Sequence, residues 1–138
     1  MKELRFEGLR EGQEARGRYL ITPEVYEGFL RVFGDLNPLH VDARYAGSKG
    51  FPGVVMHGAI LNGFISHFVG MVLPGKRTLI HSVKVEFKKP TFMGDELSIL
   101  GRVEQKVDAL HCVVLRLEIN NETRGEIAAL ARVQAGLL

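Results

Sequence analysis

The run "HGAILNGFISHFVGMV", residues 57–72, constrains this chain more than any other feature. Ile60, Leu61, Phe64, Ile65, Phe68, Val69 and Met71 place apolar side chains nearly all round a helix, which then requires burial on most sides. His57, Asn62 and His67 would be costly in lipid, so the run predicts a buried helix and not a membrane span. Directly after it the hydrophobic period changes from 3.6 to 2. "LIHSVKVEF" sets Leu79, His81, Val83, Val85 and Phe87 on one face, with Lys84 and Glu86 opposite. "ELSILGRV", "VVLRLEIN" and "EIAALARVQ" alternate in the same way, and "GQEARGRYL" near the start adds a further strand.

The connections "KPTFMGD", "KVDAL" and "NETRG" are short enough for antiparallel pairing. A helix over residues 57–72 is about 24 Å long, which matches strands of roughly seven residues. The expected class is therefore α+β: an antiparallel β-sheet of about five strands wrapped around a long central α-helix, the hot-dog architecture. One face of one sheet cannot cover such a helix completely, so edge-to-edge pairing into a homodimer or higher homo-oligomer is expected. With no repeat, linker or low-complexity tract, residues 1–138 read as a single domain.

Upstream, "TPEVYEGFLRVFGD" predicts an amphipathic helix with Thr22 as N-cap, Pro23 in the first turn and Gly34 as its stop. Val25, Phe29, Val32 and Phe33 follow helical spacing. Residues 43–52 read as a small, polar loop that has room for a turn of helix.

A net charge of +2, with Lys and Arg scattered among acids, makes neither nucleic acid nor a membrane an expected partner. One cysteine, Cys112, excludes an intrachain disulfide and fits a reducing compartment, and "MKELRFEGLREG" has no apolar signal segment. A cytoplasmic setting is the expectation. Cys112 has no activating neighbour and reads as a small core group; His81 and His111 read as structural strand residues.

The chemistry centres on "GDLNPLHVD", which sets Asp35 and His40 five residues apart around Asn37-Pro38. A carboxylate and an imidazole suit an acid–base pair that shares one water. Pro38 restricts its own φ and that of Asn37, which favours a turn bringing the two together. The same residues also make an ordinary loop, in which Asn37 shapes the backbone. Gly58 opens the buried helix, where the first N–H groups lack partners and favour negative charge. Its N–H suits an oxyanion, but a glycine there equally serves close packing, with His57 capping the helix. Ser66 lies two turns on, where a hydroxyl commonly bonds back to a carbonyl of its own helix. His57 and His67 are too far apart along one helix to share a metal.

"GDLNPLHVD", then "HGAILNGFISHFVGMVLPG", then "VKVEFKKPTFMGDEL" together resemble the MaoC-like (R)-specific enoyl-CoA hydratases over roughly residues 10–136. The resemblance implies a hot-dog fold, Asp35 and His40 as catalytic dyad, and an oxyanion and substrate-binding set of Gly58, Ser66, His57 and Asn37. It implies reversible syn hydration of a trans-2-enoyl-CoA to the (R)-3-hydroxyacyl-CoA, with either dyad member as base. No metal or redox cofactor is implied; coenzyme A or phosphopantetheine enters as part of the acyl-CoA substrate. Lys88, Lys89 and Arg77 meet its phosphates or are merely solvated. Ala59 stands where the family often has Met, and the Pro common before His-Gly is missing, which bears on chain length. The alternatives are a dehydratase acting on 3-hydroxyacyl-[acyl carrier protein], a hot-dog thioesterase and a non-catalytic acyl-thioester binding module. The last two have no need for both Asp35 and His40.

Overall fold

The computed structural model describes residues 1–138. Its strands are β1 (Glu14–Leu20), β2 (Thr78–Phe87), β3 (Glu96–Val107), β4 (Cys112–Asn121) and β5 (Glu126–Leu137). They form one antiparallel sheet in the order β1-β3-β4-β5-β2. Four helices lie between the first two strands: α1 (Pro23–Phe33), α2 (Pro38–Val41), α3 (Ala43–Ser48) and α4 (Gly58–Met71). No helix is long and apolar enough to cross a membrane.

Helix α4 is the centre of the core. Ile60, Leu61, Ile65, Phe68 and Val69 are buried against Leu97, Ile99, Leu115, Leu117, Ala131 and Val133 of the sheet. Burying one such side chain is worth about 1.5–3 kcal/mol, so the layer accounts for much of the helix's stability. At Gly101 a Cβ would overlap the ring of Phe68, so glycine lets α4 approach β3 closely. The helix is less enclosed than its composition implies, because Ala59, Asn62, Gly63 and Ser66 are exposed. A single sheet covers one side only.

The expected start and stop of α1 hold. The Thr22 hydroxyl accepts the Val25 N–H at 3.2 Å, and Gly34, with φ 65°, donates its N–H to the Leu30 carbonyl. Val25, Tyr26 and Phe29 pack on the core, whereas Val32 and Phe33 are each 69% exposed. The end of α1 overhangs the core instead of joining it.

In β2 the register shifts between Ile80 and Ser82. Ile80, Val83, Val85 and Phe87 therefore pair with Ala135, Val133, Ala131 and Ala129, the core-facing residues of β5, and Leu79 turns outward. One bulged residue, His81, reverses the alternation read from sequence. His111 stands not in a strand but at the left-handed turn before β4. Its Nδ1 lies 3.2 Å from the Leu137 carbonyl, and its ring packs on Phe6. Cys112 is fully buried.

Candidate active site

The bend in "GDLNPLHVD" is built locally. The Asn37 side chain caps α2 by accepting the Leu39 N–H at 3.0 Å, with Pro38 in the first helical turn. Asp35 Oδ1 accepts the Asn37 N–H at 3.2 Å. Asn37 thus shapes the loop. Together these bonds turn the chain so that His40 points back toward Asp35.

Longer-range contacts set the side chains. His40 Nδ1 lies 2.7 Å from the Val55 carbonyl. A carbonyl can only accept, so Nδ1 carries the proton and Nε2 the free lone pair. The Tyr26 hydroxyl donates to the His40 carbonyl at 2.8 Å, and burial raises its phenol above the ordinary range, so it remains a donor. His57 Nε2–H donates to the backbone carbonyl of Asp35 at 2.9 Å. The carboxylate of Asp35 itself is 52% exposed to solvent.

One carboxylate oxygen of Asp35 and one ring nitrogen each of His40 and His57 lie within 4.8 Å of one another. That span suits one water accepting and donating two hydrogen bonds of about 2.8 Å. A metal centre fits less well. Nε2 of His57 and Nδ1 of His40 already donate to carbonyls, which leaves fewer free donor atoms than the three that hold a catalytic ion.

His40, Gly58, Ala59, Phe87, Lys89 and Thr91 line a cavity of about 520 Å³. Gly58 begins α4, so its N–H has no intrahelical acceptor and stands free at the positive end of the helix. A second cavity of about 660 Å³, apolar and lined by Phe29, Val32, Phe33 and Phe64, runs between α1 and α4. Ala59 borders both.

Two of the expected site residues fall elsewhere. Ser66 is exposed on α4 and makes no hydrogen bond to Asp35 or His40, because two turns of rise carry it about 12 Å along the axis from Gly58. His57 is 2% exposed, so its side chain lies behind the dyad and not in the substrate cavity. Arg77 pairs with Glu3 at 3.0 Å and does not line the cavity. Lys88 donates to Glu86 at 2.9 Å and holds that carboxyl below its ordinary range, while Lys89 is free at the rim. His67 is bonded to the Tyr19 hydroxyl at 3.1 Å, the rim role its polarity calls for. Burial pushes that phenol up to about 12.

Sequence reasoning missed Val55, whose carbonyl sets the His40 tautomer, and Tyr26. Neither has a local signal: their partners lie 15 and 14 residues away.

The profile of the MaoC like domain family matches residues 7–122. A protein from Aeromonas caviae named (R)-specific enoyl-CoA hydratase is 33% identical over 92 residues, which cover 67% of this chain and 69% of that protein. Another of the same name from Rhodospirillum rubrum is 32% identical over 105 residues, covering 73% of each. Among solved structures, an R-hydratase of Pseudomonas aeruginosa in its unliganded form superposes with a TM-score of 0.89 at 27% identity, covering 98% of this chain and 86% of that one. The A. caviae (R)-hydratase superposes with a TM-score of 0.87 at 27% identity, covering 96% and 99%.

Proposed function

The chain belongs to the MaoC-like domain family, and from that premise we propose that it is an (R)-specific enoyl-CoA hydratase. One observation carries the mechanism: the hydrogen bond from His40 Nδ1–H to Val55, which leaves Nε2 as the free base of a ring that has a nitrogen within 4.8 Å of an Asp35 carboxylate oxygen. A water held between Asp35 and Nε2 gives up a proton to the imidazole as its oxygen bonds to C3 of the enoyl thioester. The electron pair of the double bond moves to the thioester oxygen, where the Gly58 N–H stabilises the enolate. Return of the proton from Nε2 to C2 completes the addition. Water and proton come from one face, so the addition is syn.

The acyl chain would pass Ala59, which borders both cavities, toward the apolar groove between α1 and α4. Lys89, free at the cavity rim, is placed to meet a phosphate of the thioester's carrier, coenzyme A in this reading. No metal or redox cofactor enters these steps. A buried, reduced Cys112 accords with a cytoplasmic setting.

The deciding experiment is hydration of crotonyl-CoA and longer enoyl-CoAs, with chiral analysis of the product and a parallel assay on acyl carrier protein thioesters. An (S) product, or no hydration on either carrier, would overturn the assignment. Release of free thiol with the enoyl chromophore intact would point to a thioesterase.

Gly58→Ala tests the oxyanion site. Its Cβ would stand about 3.0 Å from the Phe87 ring, on the wall of the cavity that Gly58 lines. Only the Phe87 side chain crowds it and no backbone does, so the melting temperature should hold within a few degrees while turnover falls by about 10²-fold through the displaced thioester oxygen. Unchanged turnover would remove Gly58 from the mechanism.

We infer further that two copies pair. Strand β2 is a sheet edge, and Val83 and Phe87 on its core-facing side are exposed beyond α4. Pairing of two β2 edges would continue the sheet and cover them. Light scattering should show a dimer that Val83→Lys shifts toward monomer; a monomeric wild type at micromolar concentration would refute the pairing.

A further inference from the structure

We propose that His57 is a positioning residue that holds both members of the dyad, an inference that rests on the hydratase reading. At 2% exposure its ring is closed to any acyl thioester. What it touches is the dyad. Nε2–H donates to the Asp35 carbonyl at 2.9 Å, tying residue 35 of an exposed loop to the buried part of the fold. The ring also lies under that of His40, with centroids 4.0 Å apart and planes inclined by 34°. Phe29 packs on His57 in turn, at 4.5 Å between centroids.

The unused nitrogen supports this role. Nδ1 is buried with no hydrogen-bond partner, and at the N-cap of α4 it does not accept a helix N–H. Buried polar atoms without partners are rare and costly, and a residue kept only to cap the helix would use that atom. His57 instead directs its one N–H at the peptide of Asp35, 22 residues earlier in the chain, and its flat face at His40. Without that N–H the Asp35 backbone carbonyl loses its partner, only the Asn37 N–H on the carboxylate remains, and residue 35 shifts relative to His40. Misplacement by about 1 Å costs on the order of 10²-fold in rate.

Three variants, two of them a matched pair, test this with crotonyl-CoA, Asp35→Asn being assayed beside them. His57→Phe keeps the flat platform without the donor. His57→Gln places an amide N–H four bonds from Cα, as Nε2 is in histidine, and His57→Met has the same reach without the donor. His57→Phe should lower kcat by about 10–100-fold with KM within about threefold, because substrate contacts are intact. His57→Gln should retain kcat about tenfold or more above His57→Met. A His57→Phe enzyme within about twofold of wild type would overturn the proposal. Equal kcat in the Gln and Met variants would overturn it too, and that pair decides the matter if the Phe variant does not fold. Wild type active and Asp35→Asn inactive leaves the hydratase reading standing whatever the His57 variants show. A wild type inactive on every enoyl thioester removes the reading and this inference together.

Discussion

Asp35→Asn and His40→Gln are each expected to slow crotonyl-CoA hydration by about 10²–10⁴-fold, the usual contribution of a positioned acid or base. Both substitutions spare the fold. Asn at 35 retains an oxygen for the Asn37 N–H and leaves the backbone carbonyl available to His57. Gln at 40 preserves α2, whose cap is the Asn37 side chain and whose link to the core is the Tyr26 hydroxyl on a backbone carbonyl. Stability should therefore change by less than about 1 kcal/mol, as for most partly exposed sites. Steady-state kinetics beside thermal melts check this. The double variant should be little worse than either single one, because the two groups hold one water and act as a unit. Near-normal turnover in both single variants would dismiss the dyad.

Asp95→Ala is expected to be the most destabilising of the substitutions considered. Asp95 is 1% exposed, and its carboxylate accepts the Phe92 N–H at 2.9 Å, the Asn121 amide at 2.7 Å and the Arg124 Nε–H at 2.9 Å. Removing it leaves buried donors unpaired and strands a guanidinium, at a cost of about 3–5 kcal/mol. For a chain of this size that lowers the melting temperature by about 10 °C or more. Activity should fall as well. Phe92 bridges Val55, and the Val55 carbonyl holds the His40 ring, so the Phe92–Asp95 turn supports the base at two removes. A melting temperature within about 2 °C of wild type would show the network to be redundant.

These two sites differ in how far they can be read from sequence. Asp35, His40 and the Asn37-Pro38 bend occupy one short segment, and their geometry follows from local rules: a proline that restricts its neighbour, an amide that caps, a carboxylate that accepts two residues on. Asp95 stood inside the motif that carried the resemblance, but its partners at Asn121 and Arg124 are 26 and 29 residues away. Periodicity is silent on such contacts. It also misled at β2, where the bulge at His81 moved Ile80 onto the core face and Leu79 off it.

The sequence by itself determined the strands, the two long helices and their order along the chain, but not the short helices α2 and α3. Strand alternation, the apolar run at 57–72 and the Thr22–Pro23 start of α1 are short-range signals, each complete within a few residues. It also determined which residue types meet at the dyad. Tertiary structure alone decided their states. Val55 chose the nitrogen of His40 that stays free, and the burial of His57 put its ring behind the dyad. Ser66 was carried out of reach by the rise of α4. A tautomer or a buried face is set by whichever group the folded chain brings alongside, and that group need not be near in sequence.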